Sequence, residues 1–337
     1  MATVHDVARD AGVSISTVSR SFDPRSKISP ATRGRVLAAA ERLGYRPHPV
    51  ARGLRTGRTH AVGLLVPDLA NPFFAAVTKS VQARARAEGY EVFVADSDED
   101  PDAEPELLRA LATRTDGLLV ASPRADATVL REVLDGVTAV LLNRELPADE
   151  ADEAPEIPAV TLDDADGTAQ IVGHLRSLGH RRVGIAAGPA ASWSGARRVA
   201  GLHAAAERWG VQIVELGDFR PVFAGGTQAA DHALAGGVTA VVVFNDLMAL
   251  GVLDRLRQRG IEVPEEMSVV GYDDVPLATL VTPALTTVRA PLDRLGRRAV
   301  DLLLARLRDA TATGSRLPVE LVIRGSAGTA PAEVPGP

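Results

Sequence analysis

Along the first 45 residues, apolar positions recur with helical spacing in short stretches. Val4, Val7, Ala8 and Ala11 fall on one stripe, Thr3 is placed to cap that helix, and Asp6 sits at the capping-box position. Gly12 ends the stripe, and Ser14 caps a second short helix that runs through Phe22. A third helix starts at Ser29-Pro30, a cap followed by the proline favoured at the first helical position, and runs to Leu43, where Gly44 closes it. Val36, Ala40 and Leu43 are placed to meet Val7, Ala11 and Val18 in a three-helix core. Two short helices across a glycine-containing turn form a helix-turn-helix pattern.

The pattern then changes twice. Residues 47–60 read as a linker, opened by Pro47 and Pro49, charged by Arg52, Arg55 and Arg58 and loosened by Gly53 and Gly57. From Ala61 onward, short apolar runs alternate with helical stretches. The runs are Val62–Val66, Val92–Ala95, Leu118–Val120, Val140–Leu142, Val160–Leu162, Val183–Ala186, Val241–Phe244 and Val269–Gly271. Uniformly apolar strands separated by helices imply parallel sheets covered on both faces. Eight such units over residues 61–325 predict an α/β core of two doubly wound parallel-sheet lobes behind an all-α headpiece. The acidic stretch Asp149–Glu156 and the tail 326–337 read as mobile.

Charge divides the chain at the same place. Residues 1–60 hold 11 Lys/Arg against 4 Asp/Glu, a charge of +7, so a net charge of −6 leaves the remainder at −13. A basic head on an acidic body is the asymmetry expected when one end meets nucleic acid. The absence of cysteine excludes disulfides and thiolate metal sites. The N-terminus has no signal-peptide-like apolar stretch and the chain no long apolar run, which point to the cytoplasm and away from the membrane. No phosphate-binding Gly-Lys-Ser/Thr, His-Glu-x-x-His or Gly-x-Ser-x-Gly pattern occurs, so nothing suggests an enzyme, a metal or a cofactor. His174 and His180 stand too far from other such groups to argue for more than a structural role.

In doubly wound sheets, ligands bind at the carboxyl ends of strands. Polar clusters fall there: Asp68 to Asn71, Asn143-Arg144, Asp163-Asp164, Asn245-Asp246 and Asp273-Asp274. Helix caps account for about half of such residues. The regularity of the set argues for a polar cleft between the lobes.

Residues 3–20, TVHDVARDAGVSISTVSR, closely resemble the headpiece of the lactose/galactose repressor family. The resemblance continues through 29–45 and 50–57 and then through VPDLANPFF (66–74), LGHRR (178–182), NDLMALG (245–251), VVGYDD (269–274) and TPALTT (282–287). It implies a helix-turn-helix headpiece over 1–46, a linker with a hinge helix over 47–60, and a periplasmic-binding-protein-type core over 61–325 for effector binding and dimerisation. The second helix would then lie in the major groove of double-stranded DNA. There Ile15, Ser16 and Arg20 match base-reading positions, and Thr17 and Ser19 match positions that bond the phosphate backbone. The chemistry agrees: Arg20 has the fork that grips guanine, Ser16 offers one hydrogen bond, and Ile15 offers apolar contact. Ala51 to Leu54 match the hinge helix, with Leu54 at the position that wedges into the minor groove of a pseudo-palindromic operator held by a homodimer.

For the core, the resemblance implies a small-molecule effector, a sugar first. Arg198, Asn245 and Asp273 match its polar ligands, Phe73 and Phe219 its apolar positions, and Ser192 and Ser194 a loop facing it. Trp193 either stacks on a sugar ring or packs between the lobes. Asp164 stands where the family usually has Asn, and Asn143 where many members have Asp. A corepressor-dependent regulator sensing a purine, nucleoside or sugar phosphate is the alternative. A transport-type solute-binding protein would share the core but lack the headpiece. The C-terminal sequence lacks a leucine heptad, so a dimer is expected.

Overall fold

The computed structural model describes residues 2–22, 26–45, 58–147, 157–311 and 313–331. They separate into two compact units, residues 1–60 and residues 61–337.

In the first unit, α1 (Val4–Ala11) is closed at its N-terminus by a reciprocal capping box. The Asp6 N–H donates to Thr3 Oγ1, and the Thr3 N–H donates to Asp6 Oδ2 at 2.9 Å. Gly12, at φ +61°, ends the helix in the left-handed conformation that glycine adopts without strain. Ser14 then caps α2 (Ile15–Ser21), and Ser29 caps α3 (Pro30–Arg42) with Pro30 at its first position. Val7, Ala8, Val18, Val36, Ala39 and Ala40 form the core, with Phe22 and Tyr45 packed against it. Leu43 was expected in that core but stays 37% exposed. The helix ends at Arg42, Gly44 turns the chain, and Tyr45 takes the place, its ring 6.1 Å from that of Phe22. The hinge residues Ala51 and Leu54 lie outside the described residues, as does the acidic stretch Asp149–Glu156.

The second unit contains two six-stranded sheets. The first is built from β1 (Ala61–Val66), β2 (Glu91–Asp96), β3 (Gly117–Ala121), β4 (Ala139–Leu142), β5 (Ala159–Leu162) and β11 (Ser315–Leu317), in the order β11-β5-β4-β3-β1-β2. The second contains β6 (Arg182–Ala187), β7 (Gln212–Asp218), β8 (Ala240–Val243), β9 (Ser268–Asp273), β10 (Thr286–Arg289) and β12 (Glu320–Val322), in the order β12-β10-β9-β8-β6-β7. All pairings are parallel except that of β10 with β12. Between strands run α4 (Pro72–Ala87), α5 (Glu104–Ala112), α6 (Ala127–Leu134), α7 (Asp164–Ser177), α8 (Trp193–Trp209), α9 (Phe223–Ala235), α10 (Asp246–Gln258) and α11 (Leu292–Arg306). The chain passes between the sheets three times, after β5, after β10 and after β11.

Central strands are buried on both faces, which is why β1, β3, β4, β8 and β9 read as apolar runs. The edge strand β2 alternates, leaving Phe93 half exposed. The tail beyond Gly325 is not loose where the structure describes it, contrary to expectation. Ser326 is fully buried, its Oγ accepting from the Thr286 N–H at 2.8 Å and donating to the Val269 carbonyl at 2.6 Å. Farther on, Ala330 N–H bonds the Leu178 carbonyl, and the fully buried His180 ring meets Gly328 O at 3.1 Å. Backbone pairing of this kind leaves no pattern in a run of small residues.

Helices α9 and α10 pack backbone to backbone. A Cβ on Gly226 would lie 1.8 Å from Met248 O, and one on Gly251 would lie 2.0 Å from Phe223 O. This contact sets where α10 begins, and therefore where Asn245 stands. Gly226→Ala is expected to destabilise the core by about 1–3 kcal/mol or more, because neither backbone yields without displacing a helix. A thermal melt of the variant with an unchanged midpoint would refute the close contact.

Candidate functional site

In the first unit, α2 buries Val18 and turns Ile15, Ser16 and Arg20 outward, with Ser19 half-buried beside them. Ile15 is 42% exposed, a large apolar side chain without cover on a seven-residue helix. The Ser14 cap also orders its neighbours, meeting Ser16 Oγ at 2.8 Å and Thr17 Oγ1 at 2.9 Å. Arg20 donates from Nε to Ser16 O, and none of the ion pairs among the described residues includes it. The result is a face carrying a guanidinium outside any ion pair of the described residues, hydroxyls and an apolar tip.

In the second unit, the carboxyl ends of the strands close on a narrow polar cavity of about 20 Å³, room for about one water molecule and far below the volume of an open ligand pocket. Asn71, Phe73, Phe74, Glu99, Ser122, Arg124 and Asn143 reach it from the first sheet's side. Ser194, Arg198, Pro221, Phe244, Asn245 and Asp273 reach it from the second's. Four of these residues take left-handed backbone conformations although none is glycine: Glu99 (φ +59°), Ser122 (+45°), Asn143 (+54°) and Asp273 (+115°). Such strain costs on the order of 1–3 kcal/mol per residue and persists where the surroundings impose it.

Arg198 is the centre of the second wall. From α8, its Nε donates to Asp164 Oδ1 at 2.9 Å and its Nη1 to the Phe244 carbonyl at 2.9 Å, while the guanidinium lies 3.5 Å from the Tyr272 ring centre. The Tyr272 hydroxyl donates to the same Asp164 oxygen at 3.0 Å. Gly167 leaves room for that hydroxyl, since a Cβ there would come within 2.7 Å of it. Burial opposes the charge on Arg198, but Asp164, Tyr272 and Asp273 outweigh it and hold the guanidinium protonated above its ordinary range. Burial pushes the Tyr272 phenol up.

Asp273 Oδ1 lies 3.9 Å from Arg198 Nη2, and no hydrogen bond from the described residues reaches its carboxylate. Burial pushes that carboxyl well above its usual range, against the pull of Arg198 and with the added effect of Asp246 and Asp164. Asn245 caps α10, accepting from the Met248 N–H at 2.8 Å, and donates from Nδ2 to the Pro221 carbonyl at 3.1 Å. On the opposite wall, Arg124 grips Glu99 at 2.6 and 3.0 Å.

Of the positions singled out in the sequence, the structure thus gathers Phe73, Ser194, Arg198, Asn245 and Asp273 around one cavity. Three others stand apart from its lining. Phe219 packs in the apolar core of the second sheet, edge-on to His232 at 5.3 Å, because the loop after β7 turns it inward. Ser192 is the cap of α8, its Oγ accepting from the Gly195 N–H. Trp193 is half-buried beneath Arg197, whose guanidinium lies 5.0 Å from its ring centre. Glu99, Ser122, Arg124, Phe244 and Tyr272 were not anticipated, for their roles depend on turns and on which helix packs where. Among the described residues, no group of three His, Asp or Glu side chains is placed to hold a metal ion. No helix among them is long and apolar enough to cross a membrane.

Residues 3–48 match the profile of bacterial regulatory proteins of the lacI family, and residues 172–327 match a periplasmic binding protein-like domain. The chain is 34% identical, over 96% of both sequences, to the HTH-type transcriptional repressor CytR of Escherichia coli (strain K12). It belongs to the lacI family. Catabolite control protein A of Priestia megaterium is 32% identical over 96% of this chain and 98% of its own. Among solved structures, the lac repressor dimer bound to operator and the anti-inducer ONPF superposes with a TM-score of 0.86 at 31% identity, covering 97% of this chain and 99% of that one. A complex of the regulator CelR with cellobiose gives 0.70 at 30% identity, with 97% and 100% covered. This lacI-family member is therefore a DNA-binding transcriptional regulator and not an enzyme.

Beside Asn245, this family member carries a further buried carboxylate. Asp246, the first residue of α10, accepts from Thr287 Oγ1 at 2.5 Å and from the Val275 N–H at 2.9 Å. Gly271 admits it, as a Cβ there would lie 2.3 Å from Oδ1. Burial raises its carboxyl to about 7, with Asp274 adding and the two hydrogen bonds opposing. The native state therefore holds a proton that the unfolded chain releases near pH 4. Stability from this group is greatest below that pH and falls as pH rises to about 7, by up to about 1.4 kcal/mol per pH unit. Asp246→Asn keeps the shape without the titration. Between pH 5 and 7, urea unfolding should show the variant losing less stability than the parent chain; parallel losses would contradict this protonation.

Proposed function

We propose that the protein is a cytoplasmic repressor that binds a pseudo-palindromic operator as a homodimer and responds to a small polyhydroxylated effector, a sugar first, held in the cavity of the core. Residues 1–46 are the DNA-binding headpiece and 47–60 the hinge, with Ala51 and Leu54 at the operator's minor groove. Ile15, Ser16 and Arg20 read base edges, and Thr17 and Ser19 bond the phosphate backbone. The exposed face of α2, with the Arg20 guanidinium outside any ion pair and Ile15 bare, supports that assignment. The superposition on an operator-bound lac repressor dimer supports the partner and the dimer.

The observation that carries the effector reading is a buried acceptor without a donor on one wall, Asn143 Oδ1, facing on the other a carboxylate, Asp273, that only the distant Arg198 approaches. Asp273 receives no hydrogen bond from the described residues, and Asn143 Oδ1 is buried with no partner. A buried acceptor left unmet costs about 1–3 kcal/mol, and ligand hydroxyls supply what is missing. Arg198 and Asn245 complete the polar set, while Phe73, Phe74 and Phe244 offer rings for the C–H face of a sugar. A purine or nucleoside corepressor is the second reading, favoured by the same three rings. A thermal-shift screen against sugars and nucleosides separates the two, since a ligand at a hundredfold excess over its Kd stabilises the core by about 2.7 kcal/mol.

Two outcomes are expected of substitutions. Arg20→Ala should cost about 1–3 kcal/mol per half-site and relax sequence preference in gel shifts; unchanged operator affinity in a folded variant removes α2 from the recognition role. Asp273→Ala should leave operator binding intact and abolish the ligand's effect on it. A variant that releases operator with the parent's ligand dependence would place the effector elsewhere.

A further inference from the structure

Three phenylalanine rings border the cavity, and they are not equally committed. Phe73 and Phe74 meet edge to face at 5.0 Å and are only 4% and 5% exposed, so each is largely covered by the other and by the core. Phe244 directly follows β8 and is half-buried. Its N–H donates to the Ala186 carbonyl at 3.0 Å and its carbonyl accepts from Arg198 Nη1 at 2.9 Å. The Arg198 guanidinium also lies 5.5 Å from the centre of its ring, within the reach of a cation–π contact. Two glycines then fix the ring itself. A Cβ on Gly188, the residue after β6, would lie 2.5, 2.5 and 2.7 Å from three of its carbons, and one on Gly195 of α8 would lie 3.1 Å from a fourth.

We infer that Phe244 is the specificity-determining residue of the cavity, a fixed aromatic platform for an effector with an apolar ring face, and that Gly188 is its positioning residue. This rests on the reading of the cavity as the effector site and adds a demand on the ligand's shape. An aromatic face receives the C–H face of a cyclic sugar or the plane of a nucleobase. An open-chain polyol carries the same hydroxyls but presents no fixed face. Gly188 acts through the ring: its backbone lies outside the left-handed region, and the three atoms nearest to an added Cβ all belong to Phe244. Contacts that short force the ring out of its place. Trp193, which stands apart from the lining, is left to Arg197.

The test titrates the full chain by calorimetry with D-ribose, D-glucose, cellobiose and adenosine, and with ribitol and D-glucitol as open-chain counterparts of the first two. At least one cyclic compound is expected to bind, and any sugar that does so to bind tenfold or more tighter than its polyol; tightest binding by adenosine makes the ring a nucleobase, by a sugar a pyranose or furanose. Phe244→Ala is expected to weaken the cyclic ligand tenfold or more and to shrink its advantage over the polyol. Phe244→Leu, which keeps apolar bulk without the face, replaces that variant where it does not fold. Gly188→Ala is expected to weaken the same ligand tenfold or more in the parent chain and to cost little further in the Phe244→Ala background. An equal cost in both backgrounds overturns the role of Gly188. If Phe244→Ala binds like the parent while Asp273→Ala abolishes binding, the platform falls and the effector site stands. If no compound binds the parent chain, both fall.

Discussion

Arg198 is the group on which the rest of the core's site depends. A guanidinium with 8% of its side chain exposed has lost nearly all of its water, and the protein replaces that water with specific partners from several elements. Asp164 comes from the start of α7, Phe244 O from the end of β8, and Tyr272 from β9. Each partner is held by the others, since the Tyr272 hydroxyl bonds the same Asp164 oxygen. Breaking one member of a buried ionic set strands the remainder, which is costlier than never having built it. The bond to the Phe244 carbonyl matters most for geometry. It fixes the bend from which Asn245 caps α10, and that helix is in turn pressed to α9 through Gly226 and Gly251.

The strained residues belong to the same design. Ser122 and Asn143 directly follow β3 and β4, Asp273 is the last residue of β9, Glu99 lies three residues beyond β2, and all border the cavity. Left-handed backbone at such points turns a side chain sharply off the line of the strand, which a relaxed extended residue would continue. For Ser122, Asn143 and Asp273 the cost is supportable because β3, β4 and β9 are buried and hydrogen-bonded on both sides. Rigid sheet ends thus hold polar groups in positions that a flexible loop would relax away from, and some of these groups consequently lack partners of their own.

What the sequence made legible follows from the same physics. Strands buried on both faces announce themselves as apolar runs, so β1, β3, β4, β8 and β9 were read correctly. β7 was not, because an edge strand such as Gln212–Asp218 alternates with charged residues and resembles a loop. β10, β11 and β12 are three or four residues long and exist only through partners distant in the chain. Leu43 stays exposed because the helix ends at Arg42, one residue before it, so the helical stripe no longer aims it at the core. In the cavity, Arg198, Asn245 and Asp273 were found through motifs. Glu99, Ser122 and Arg124 come from turns of no recognisable pattern, and that Phe219 packs in the apolar core follows from a loop's inward turn, which is not written in its composition.

The cavity's construction also bears on how a ligand could move the protein. A ligand shifts an equilibrium only by as much as it prefers one arrangement over another. Here the open acceptors are divided between the two sheets, Asn143 on one and Asp273 on the other. A ligand spanning both gains its full set of contacts only when the sheets approach, so its preference for the closed arrangement is inherent in the placement of these groups. A tenfold preference is worth about 1.4 kcal/mol per site, and two sites in a dimer double it. Contacts confined to one sheet would bind a ligand equally well in either arrangement and report nothing to the headpiece. The division of the acceptors, more than their number, is what makes the cavity suited to a switch.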